Sequence, residues 1–259
     1  MKAYVKKKLS IALKKMIERL GWEVFPSIPA HHYVPKFYGK SASKQSDIRT
    51  LAVFGDVATK VIQDKHTYLY YDRLFTIYQS LQNFASLAHV DSINTAELGV
   101  YRGGGSYFIA SVSEKMGLSV NHYCFDTFEG HSAEDVNGYL EPSQKPGSFD
   151  NTNYEDVKEY LRDFLNISIY KGRFQDTCNN LNDKMFSFVH LDMDIYNPTA
   201  FALDYFTDRM VRGGVILLDD YGFFSCPGIE KAVTEFMSKN ASKYFGIPLL
   251  TGQFILIRL

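Results

Sequence analysis

Hydrophobic and polar positions follow two alternating periodicities from about residue 93 to the end of the chain. Short apolar runs, typical of buried β-strands, are followed by segments with apolar residues every three or four positions, typical of amphipathic helices. The predicted strands are INTAELGV, VNHYCFDTF, ISIYKG, FSFVHLDMD and GVILLDDY, and the predicted helices are GGGSYFIASVSEKMG, YEDVKEYLRDF, PTAFALDYFTDRM and GIEKAVTEFMSKN. This alternation predicts an α/β fold with a parallel sheet covered on both faces. The last segment, FGIPLLTGQFILIRL, is broken at Thr251 and Gly252 and predicts a closing hairpin.

The first 22 residues form a basic segment with an amphipathic pattern. Lysines interrupt its apolar residues, so it lacks the continuous apolar core of a secretory signal or a spanning helix. We therefore expect no export. The predicted helix could lie on an anionic membrane surface, or it could dock on its own domain or on a second subunit.

Two polar segments predict loops around the main domain. Residues from about 23 to 50 have little periodicity and several prolines, which predicts an extended arm whose HHYVP stretch could cover an acceptor. The segment between Gly130 and Asn151 is rich in turn-forming residues, and a loop of that length inside a compact domain is usually functional or disordered. We assign residues 1–66 to a basic helix and an arm or lid, and residues 67–259 to the main domain.

Composition excludes several classes of protein. The chain has 259 residues, of which 46% are apolar and 22% are charged, and this suits one sizeable α/β domain with an appendage. The formal net charge is −1, so we expect no nucleic-acid partner. Cys124, Cys178 and Cys226 are widely spaced, which fits a reducing cytoplasm better than a disulfide scaffold.

Acidic pairs follow two of the predicted strands. Asp192 and Asp194 come after one strand, and Asp219 and Asp220 come after the next. A single acid after a strand is often only the N-cap of the following helix. Four acids at the carboxyl ends of two parallel strands instead predict a divalent-cation site, and carboxylate oxygens suit Mg²⁺ rather than Zn²⁺.

A glycine-rich turn follows the first predicted strand in the sequence ELGVYRGGGS. Its glycines allow the backbone to approach a ligand and supply N–H groups at a helix start. The turn departs from the dinucleotide pattern G-x-G-x-x-G because Tyr101 occupies the second glycine position, and it has no G-K-[ST] ending. Asp126 ends the second strand, where an acid can accept hydrogen bonds from ribose hydroxyls or serve as a simple turn residue.

Five motifs in order resemble those of the macrocin O-methyltransferase family, sugar methyltransferases that use S-adenosylmethionine and Mg²⁺. The motifs are ELGVYRGGGS, FDTFEG, KGRFQDT, LDMDIYNPT and GGVILLDDYG. The likeness extends from about Thr67 to Phe236. It implies a Rossmann-like class I methyltransferase fold with a seven-stranded sheet and an antiparallel last strand.

The resemblance also implies a cofactor site. The residues near the methionine part would be Glu97, Gly99, Tyr101, Arg102 and Ser106. Asp126 would hold the ribose, with Thr127 and Phe128 beside the adenosyl group. Gly172 and Phe174 would approach the adenine, although Phe174 could equally pack in the core.

By the same resemblance, Asp192, Asp219 and Asp220 would bind the metal. The proton acceptor is open: Asp192 is the first choice, with Asp194 or His131 as alternatives. The catechol-type methyltransferases have a lysine three residues after the first metal ligand, whereas this chain has Ile195 there.

Two other residues have open assignments. His190 lies two residues before Asp192 on the same strand face, so it could approach the site or pack as a core histidine. Arg73 could serve the site or form a buried structural ion pair.

The function expected from these features is S-adenosylmethionine- and Mg²⁺-dependent O-methylation of a sugar hydroxyl, in a glycosylated natural product or a surface polysaccharide. The partner would be a small-molecule or glycan acceptor, and we expect a cytoplasmic homo-oligomer. Two alternatives stay open: a metal-dependent hydroxylase-like relative, and a non-catalytic binding or scaffold protein.

Overall fold

The structure is a computed structural model, and it describes Met16 and residues 48–86, 93–181 and 183–259. The chain divides into two compact units, Met1–His32 and Tyr33–Leu259. Apart from Met16, which is helical, the basic segment of residues 1–22 lies outside the described residues, as does the HHYVP stretch of the predicted arm. The predictions for both therefore stay predictions.

The second unit contains one seven-stranded sheet. Its strands are β1 (Ile93–Leu98), β2 (Val120–Asp126), β3 (Ile167–Lys171), β4 (Phe186–Leu191), β5 (Met210–Leu218), β6 (Tyr244–Pro248) and β7 (Phe254–Arg258). The order across the sheet is β3-β2-β1-β4-β5-β7-β6. Strands β1 to β5 pair in parallel, and β7 runs antiparallel to both β5 and β6. The α/β fold with a mostly parallel sheet and the C-terminal hairpin are confirmed.

Helices join the strands as the alternating pattern predicts. They are α1 (Ala52–Asp64), α2 (Tyr71–Ser86), α3 (Gly104–Lys115), α4 (Tyr154–Tyr160), α5 (Phe174–Thr177), α6 (Tyr196–Phe206) and α7 (Pro227–Asn240), with short 3₁₀ segments at Ile48–Thr50 and Cys178–Leu181. Both acid-bearing strands end earlier than predicted, at Leu191 and Leu218. All four acids therefore lie in the turns beyond the strands, where their side chains can converge.

Each face of the sheet has its own apolar core. Phe188 of β4 and Leu217 of β5 pack on one face with residues of α1, α2 and α3. Val189 and Ile216, their neighbours along the strands, pack on the opposite face with residues of α5, α6 and α7. Because successive side chains of a strand point to opposite faces, near-continuous apolar strands are what a sheet covered on both sides requires. Helix α1 precedes residue 67, the predicted start of the main domain, and it packs in the core that contains Phe188 and Leu217.

The order of the strands reverses between β1 and β4, which are adjacent although β2 and β3 lie between them in sequence. In open α/β sheets, ligands bind at the carboxyl edge where this reversal occurs. The backbone ladder carries the acid turns to that edge: the amide of Asp192 donates to the carbonyl of Leu98, and that of Asp219 donates to Leu191, both at 2.9 Å. The acid turns therefore lie directly beside the glycine turn.

Within the described residues, every helix is too short or too polar to cross a membrane.

Candidate active site

The glycine turn after β1 is fixed by close backbone packing. Gly99 has a φ of +89°, and a Cβ placed there would overlap the carbonyl oxygen of Asp192. A Cβ on Gly105, in the first turn of α3, would overlap the carboxylate of Glu97. The glycines are therefore required by the close approach of the acid turn after β4 and of the Glu97 side chain, and they leave the backbone of the glycine turn close to the sheet edge.

Glu97 lies behind this turn in a buried polar network. It is 2% exposed, and its Oε2 accepts a hydrogen bond from the Ser106 hydroxyl at 2.5 Å. Its Oε1 lies 3.0 Å from Nδ1 of His190. The Ser106 hydroxyl also contacts His122 Nε2 and Cys124 Sγ, each at 3.0 Å. Both carboxylate oxygens of Glu97 thus have partners within the protein, so its direct effect is to hold the turn and His190 in place.

Asp126, the last residue of β2, connects the turn after β1 with the turn after β2. Its Oδ2 accepts the backbone N–H of Tyr101 and its Oδ1 accepts that of Phe128, both at 2.7 Å. Tyr101 and Phe128 have φ values of 52° and 53°, a conformation that few non-glycine residues adopt. Burial raises the pKa of Asp126, although these hydrogen bonds act in the opposite direction. The carboxylate therefore orders the two loops between which a ligand would lie.

The remaining predicted cofactor residues occupy different surroundings. The Thr127 hydroxyl donates to the carbonyl of Gly130 at 2.7 Å, and Nε of Arg102 donates to that of Asn151 at 2.9 Å. Both side chains tie the site to the loop of residues 130–153.

Gly172 and Phe174 lie after β3. Gly172 has a φ of 136°. Phe174 is 4% exposed and contacts the rings of Phe125 and Phe206, the core packing that the sequence left as its alternative. A contact between Phe174 and an adenine stays a prediction.

Three carboxylates converge beside the glycine turn. Oxygen atoms of Asp192, Asp219 and Asp220 all lie within 4.8 Å of one another. Arg73, which is 8% exposed, forms an ion pair with Asp219 Oδ2, and its Nη1 lies 3.7 Å from Asp220 Oδ1. Gln253 donates to Asp219 Oδ1 at 2.8 Å. Arg73 thus forms the buried ion pair that the sequence left as one alternative, and it does so inside the acid cluster.

The electrostatics of this cluster favour a bound cation. Burial raises the pKa of Asp192 well above its ordinary value, and the charges of Asp219 and Asp220 raise it further. Burial and the Asp219 charge raise the pKa of Asp220 to about 6. Burial acts in the same direction on Asp219, but Arg73 and His190 outweigh it and lower its pKa. Within the described residues, Oδ2 of Asp220 is buried without a hydrogen-bond partner.

His190 links the acid cluster to the glycine turn. It is fully buried, with Nδ1 at 3.0 Å from Glu97 and Nε2 at 3.6 Å from Asp219 Oδ1. Burial alone would lower its pKa, but the contacts with Asp219 and Glu97 outweigh this and raise the pKa to about 10. His190 is therefore an imidazolium that bridges two carboxylates. Both of its open alternatives hold, because it is a core histidine and it also contacts the site.

His131 approaches the acids from the loop of residues 130–153. Its Nε2 lies 3.9 Å from Oδ2 of Asp194, and its ring packs edge-to-face on Phe149. Burial lowers the pKa of His131, so the ring is neutral near pH 7. Asp194 has a φ of 61°, and burial together with the charge of Asp220 raises its pKa. Asp194 and His131, the two alternatives to Asp192 as proton acceptor, therefore lie next to each other in the structure.

The loop of residues 130–153 is irregular, as predicted, and two buried acids hold it on the domain. Asp135 forms a two-point ion pair with Arg173, with both N–O distances at 2.8 Å. Glu141 is fully buried and accepts the backbone N–H of Tyr196, the first residue of α6, at 2.8 Å. Sequence analysis missed both acids. Their sequence signal, isolated carboxylates in a polar loop, is the same as that of solvated surface residues.

The family model described as Macrocin-O-methyltransferase (TylF) matches residues 66–244. The chain belongs to this family. This confirms the resemblance drawn from the five motifs.

A curated relative supports the same family. It is an 8-demethyl-8-(2,3-dimethoxy-alpha-L-rhamnosyl)-tetracenomycin-C 4'-O-methyltransferase of Streptomyces olivaceus. The two sequences are 28% identical over an alignment of 145 residues, and the match covers 50% of this chain and 53% of the relative. The match thus spans about half the length of that relative.

Solved structures of O-methyltransferases share the fold. NovP superposes with a TM-score of 0.65 at 22% identity over 74% of this chain and 81% of its own. The calicheamicin methyltransferase CalS11 does so with a TM-score of 0.59 at 15% identity over 92% and 98%. An O-methyltransferase from Bacillus cereus in complex with SAH gives 0.50 at 12% identity over 80% and 91%. These likenesses show the class I methyltransferase fold.

Proposed function

We propose that this protein transfers a methyl group from S-adenosylmethionine to a hydroxyl of a sugar, with Mg²⁺ bound at the acid cluster. The observation that carries the proposal is the juxtaposition of the glycine turn and the acid cluster, which meet at Gly99 and the backbone of Asp192. A methyl donor on the turn and a hydroxyl on the acids would be neighbours. Membership in a family of O-methyltransferases favours this function over a scaffold or a hydroxylase.

The cofactor would occupy the crevice between the turns after β1 and β2. Gly99, Tyr101 and Arg102 would border its methionine part, and Asp126, with Thr127 and Phe128 beside it, would accept hydrogen bonds from the ribose. Glu97 and Ser106 would act from behind the turn, because their polar atoms already bond to each other and to His190. Bound S-adenosylmethionine supplies an electrophilic methyl group for an in-line displacement, in which positioning does much of the work.

The donor set fits a hard divalent cation. The three carboxylates lie within range of one ion, and Asp220 Oδ2 is buried without a partner among the described residues. Asp192 and Asp220 would be the principal ligands. Asp219 would join them only in exchange for part of its contacts with Arg73 and Gln253. A bound Mg²⁺ would orient neighbouring sugar hydroxyls and lower the pKa of the one that is methylated.

We assign the proton acceptor to Asp194 rather than to Asp192, the first choice from the sequence. A carboxylate that ligates a metal is a weak base, and Asp194 lies outside the three-carboxylate set. Its raised pKa suits it to hold a proton. His131, neutral and 3.9 Å away, would orient Asp194 or take its place as the acceptor.

The acceptor would be a sugar carried by a larger molecule. This rests on the rhamnosyl tetracenomycin substrate named for the Streptomyces olivaceus relative, and transfer of that specificity to this chain is part of the proposal. We further propose a cytoplasmic homo-oligomer without a nucleic-acid partner. Membrane contact through the basic N-terminal segment stays an alternative to its docking on protein.

The test combines labelled S-adenosylmethionine, a panel of rhamnosylated and other glycosides, and a chelator. Asp192→Asn should reduce kcat/KM at least about 100-fold, since a metal contributes several kcal/mol to charge stabilisation. Asp163→Asn is a matched control because its side chain is 87% exposed. Methyl transfer that persists in chelator and in Asp192→Asn would remove the metal from the proposal. Failure to bind S-adenosylmethionine would remove the whole function.

A further inference from the structure

A second group of potential ligands lies beside the three carboxylates. Ligand atoms of Asp194, Asp220 and Cys226 all lie within 4.8 Å of one another. The Cys226 sulfur is 3.7 Å from Asp194 Oδ1, and the residue is 2% exposed at the start of α7. Asp220 belongs to both groups. The two groups differ in chemistry, because only the second contains a thiol.

One buried atom of this second group, and one atom beside the group, have no hydrogen-bond partner among the described residues. Asp220 is 7% exposed, and within the described residues its Oδ2 has no hydrogen-bond partner. The Nε2 atom of His131, which lies 3.9 Å from Asp194 Oδ2, is likewise buried without a hydrogen-bond partner among the described residues. Buried polar atoms without partners are rare in folded proteins and call for an unseen ligand or another explanation.

Gln144 contacts the thiol of the group. Its Nε2 donates to the sulfur of Cys226 at 3.7 Å. Such outer partners orient metal ligands in known sites.

The separation between the thiol and Asp194 agrees with a tetrahedral site. Zn²⁺ binds sulfur at about 2.3 Å and nitrogen or oxygen at about 2.0–2.2 Å, which separates tetrahedral ligand atoms by roughly 3.3–3.7 Å. The Cys226 sulfur lies 3.7 Å from Asp194 Oδ1, within this range, whereas His131 Nε2 lies 3.9 Å from Asp194 Oδ2 and is a neighbour of the site. Octahedral Mg²⁺ brings adjacent ligand atoms to about 2.9 Å and disfavours thiolate. The donor set therefore selects a borderline-soft cation.

We propose that Asp194, Asp220 and Cys226 form a Zn²⁺ site that shares Asp220 with the three-carboxylate site but differs from it in containing a thiol. Because Asp220 belongs to both, an ion in one site weakens binding in the other. Zn²⁺ would also occupy Asp194, the proposed proton acceptor, and so inhibit methyl transfer. This inhibition rests on the proposed function, whereas Zn²⁺ binding itself does not.

The test measures metal binding to the full-length protein without substrate or cofactor. Co²⁺, a spectroscopic substitute for Zn²⁺, should give a near-ultraviolet thiolate charge-transfer band, and competition with a chromophoric chelator gives the Zn²⁺ affinity. Cys226→Ser should abolish the band and weaken Zn²⁺ binding at least about 100-fold, since even loss of an outer partner costs about 10- to 100-fold. Cys178→Ser is the matched control, because Cys178 is also a buried core residue, 5% exposed against 2% for Cys226. It should retain both properties.

Other variants separate the two sites. Asp192→Asn should weaken Mg²⁺ binding and leave the Co²⁺ band in place, whereas Asp194→Asn should weaken Zn²⁺ binding and shift the band. Absence of the band in the wild type would overturn the proposal without any variant, and so would equal Zn²⁺ affinity in Cys226→Ser. If the protein binds Zn²⁺ as described but does not methylate sugars, only the inhibition and the proposed function fail.

Discussion

Replacement of Arg73 with methionine tests whether the acid cluster depends on a built-in cation. The Arg73 guanidinium pairs with Asp219 and lies 3.7 Å from Asp220, and these side chains are 9%, 0% and 9% exposed. Methionine preserves much of the length and apolar character of the stem but removes the charge. The variant therefore leaves the buried carboxylate of Asp219 without its counter-ion.

The expected loss follows from this burial. Breaking a buried ion pair by removing one partner costs about 3–5 kcal/mol, whereas an exposed pair contributes about 0–1 kcal/mol. Mg²⁺ should restore part of the loss, since an ion at 100 times its Kd stabilises the folded state by about 2.7 kcal/mol. Arg73 competes electrostatically with the ion. If its removal tightens Mg²⁺ binding tenfold, the variant gains about 1.4 kcal/mol more from Mg²⁺ than the wild type does.

Urea denaturation in chelator and in saturating Mg²⁺ measures both effects. Arg162→Met is the matched control, because Arg162 pairs with Glu159 at the surface and both side chains are more than 60% exposed. The reasoning is refuted if Arg73→Met and Arg162→Met lose similar free energies of unfolding. It is also refuted if Mg²⁺ stabilises Arg73→Met no more than the wild type.

Three further predictions concern the loop, the glycine turn and the titration of the acids. Glu141→Ala should lower the free energy of unfolding by about 1–3 kcal/mol and speed proteolysis of the loop, because the Tyr196 amide loses its buried acceptor. A decrease no larger than that of Glu141→Gln, which keeps an acceptor oxygen, would contradict this role. Gly99→Ala should lower Tm far more than Gly138→Ala, whose methyl group meets open space, and equal Tm values would refute the steric argument. The gain in Tm on adding Mg²⁺ should grow as pH rises from about 5 to about 7, since Asp220, with a pKa of about 6, must lose its proton to bind the ion. Without metal, the contribution of Asp220 to stability should fall as pH rises from 3.8 towards 6, because the folded state holds this proton more tightly than the unfolded state does. A gain in Tm that is independent of pH would contradict the assignment.

The fold was predictable because its signals are local. Apolar β-branched runs that alternate with helical periodicity specify a buried parallel sheet, and the break at Thr251 and Gly252 specifies the hairpin. The predicted strand ends were too late, because Asp192 and Asp219 continue an apolar run in sequence while lying in the turns beyond it. Hydrophobic patterns define which residues face the core, but they do not define where ladder hydrogen bonding stops.

The partners of the acids were not predictable in the same way. Arg73 lies 146 residues before Asp219 in the chain, and Gln253 lies 34 residues after it. Their contacts depend on how α2 and β7 are placed at the sheet edge. Cys226 likewise has no metal-ligand spacing in sequence, yet the fold brings it to Asp194. Sequence spacing identifies ligands that lie on one element, but it does not identify sets assembled from several.

The buried charges of the site lead to one further conclusion about its resting state. Among the residues that the structure describes, five carboxylates meet two cationic side chains there: the acids are Glu97, Asp192, Asp194, Asp219 and Asp220, and the cations are Arg73 and His190. Both cations contact Asp219, His190 also contacts Glu97, and Arg73 lies 3.7 Å from Asp220, so two positive charges are shared among five acids. Burial and the negative charges of neighbouring acids raise the pKa values of Asp192, Asp194 and Asp220, so each of them holds a proton more readily than an exposed carboxyl group does. A divalent cation would compete with such protons, so metal binding at this site should tighten as pH rises.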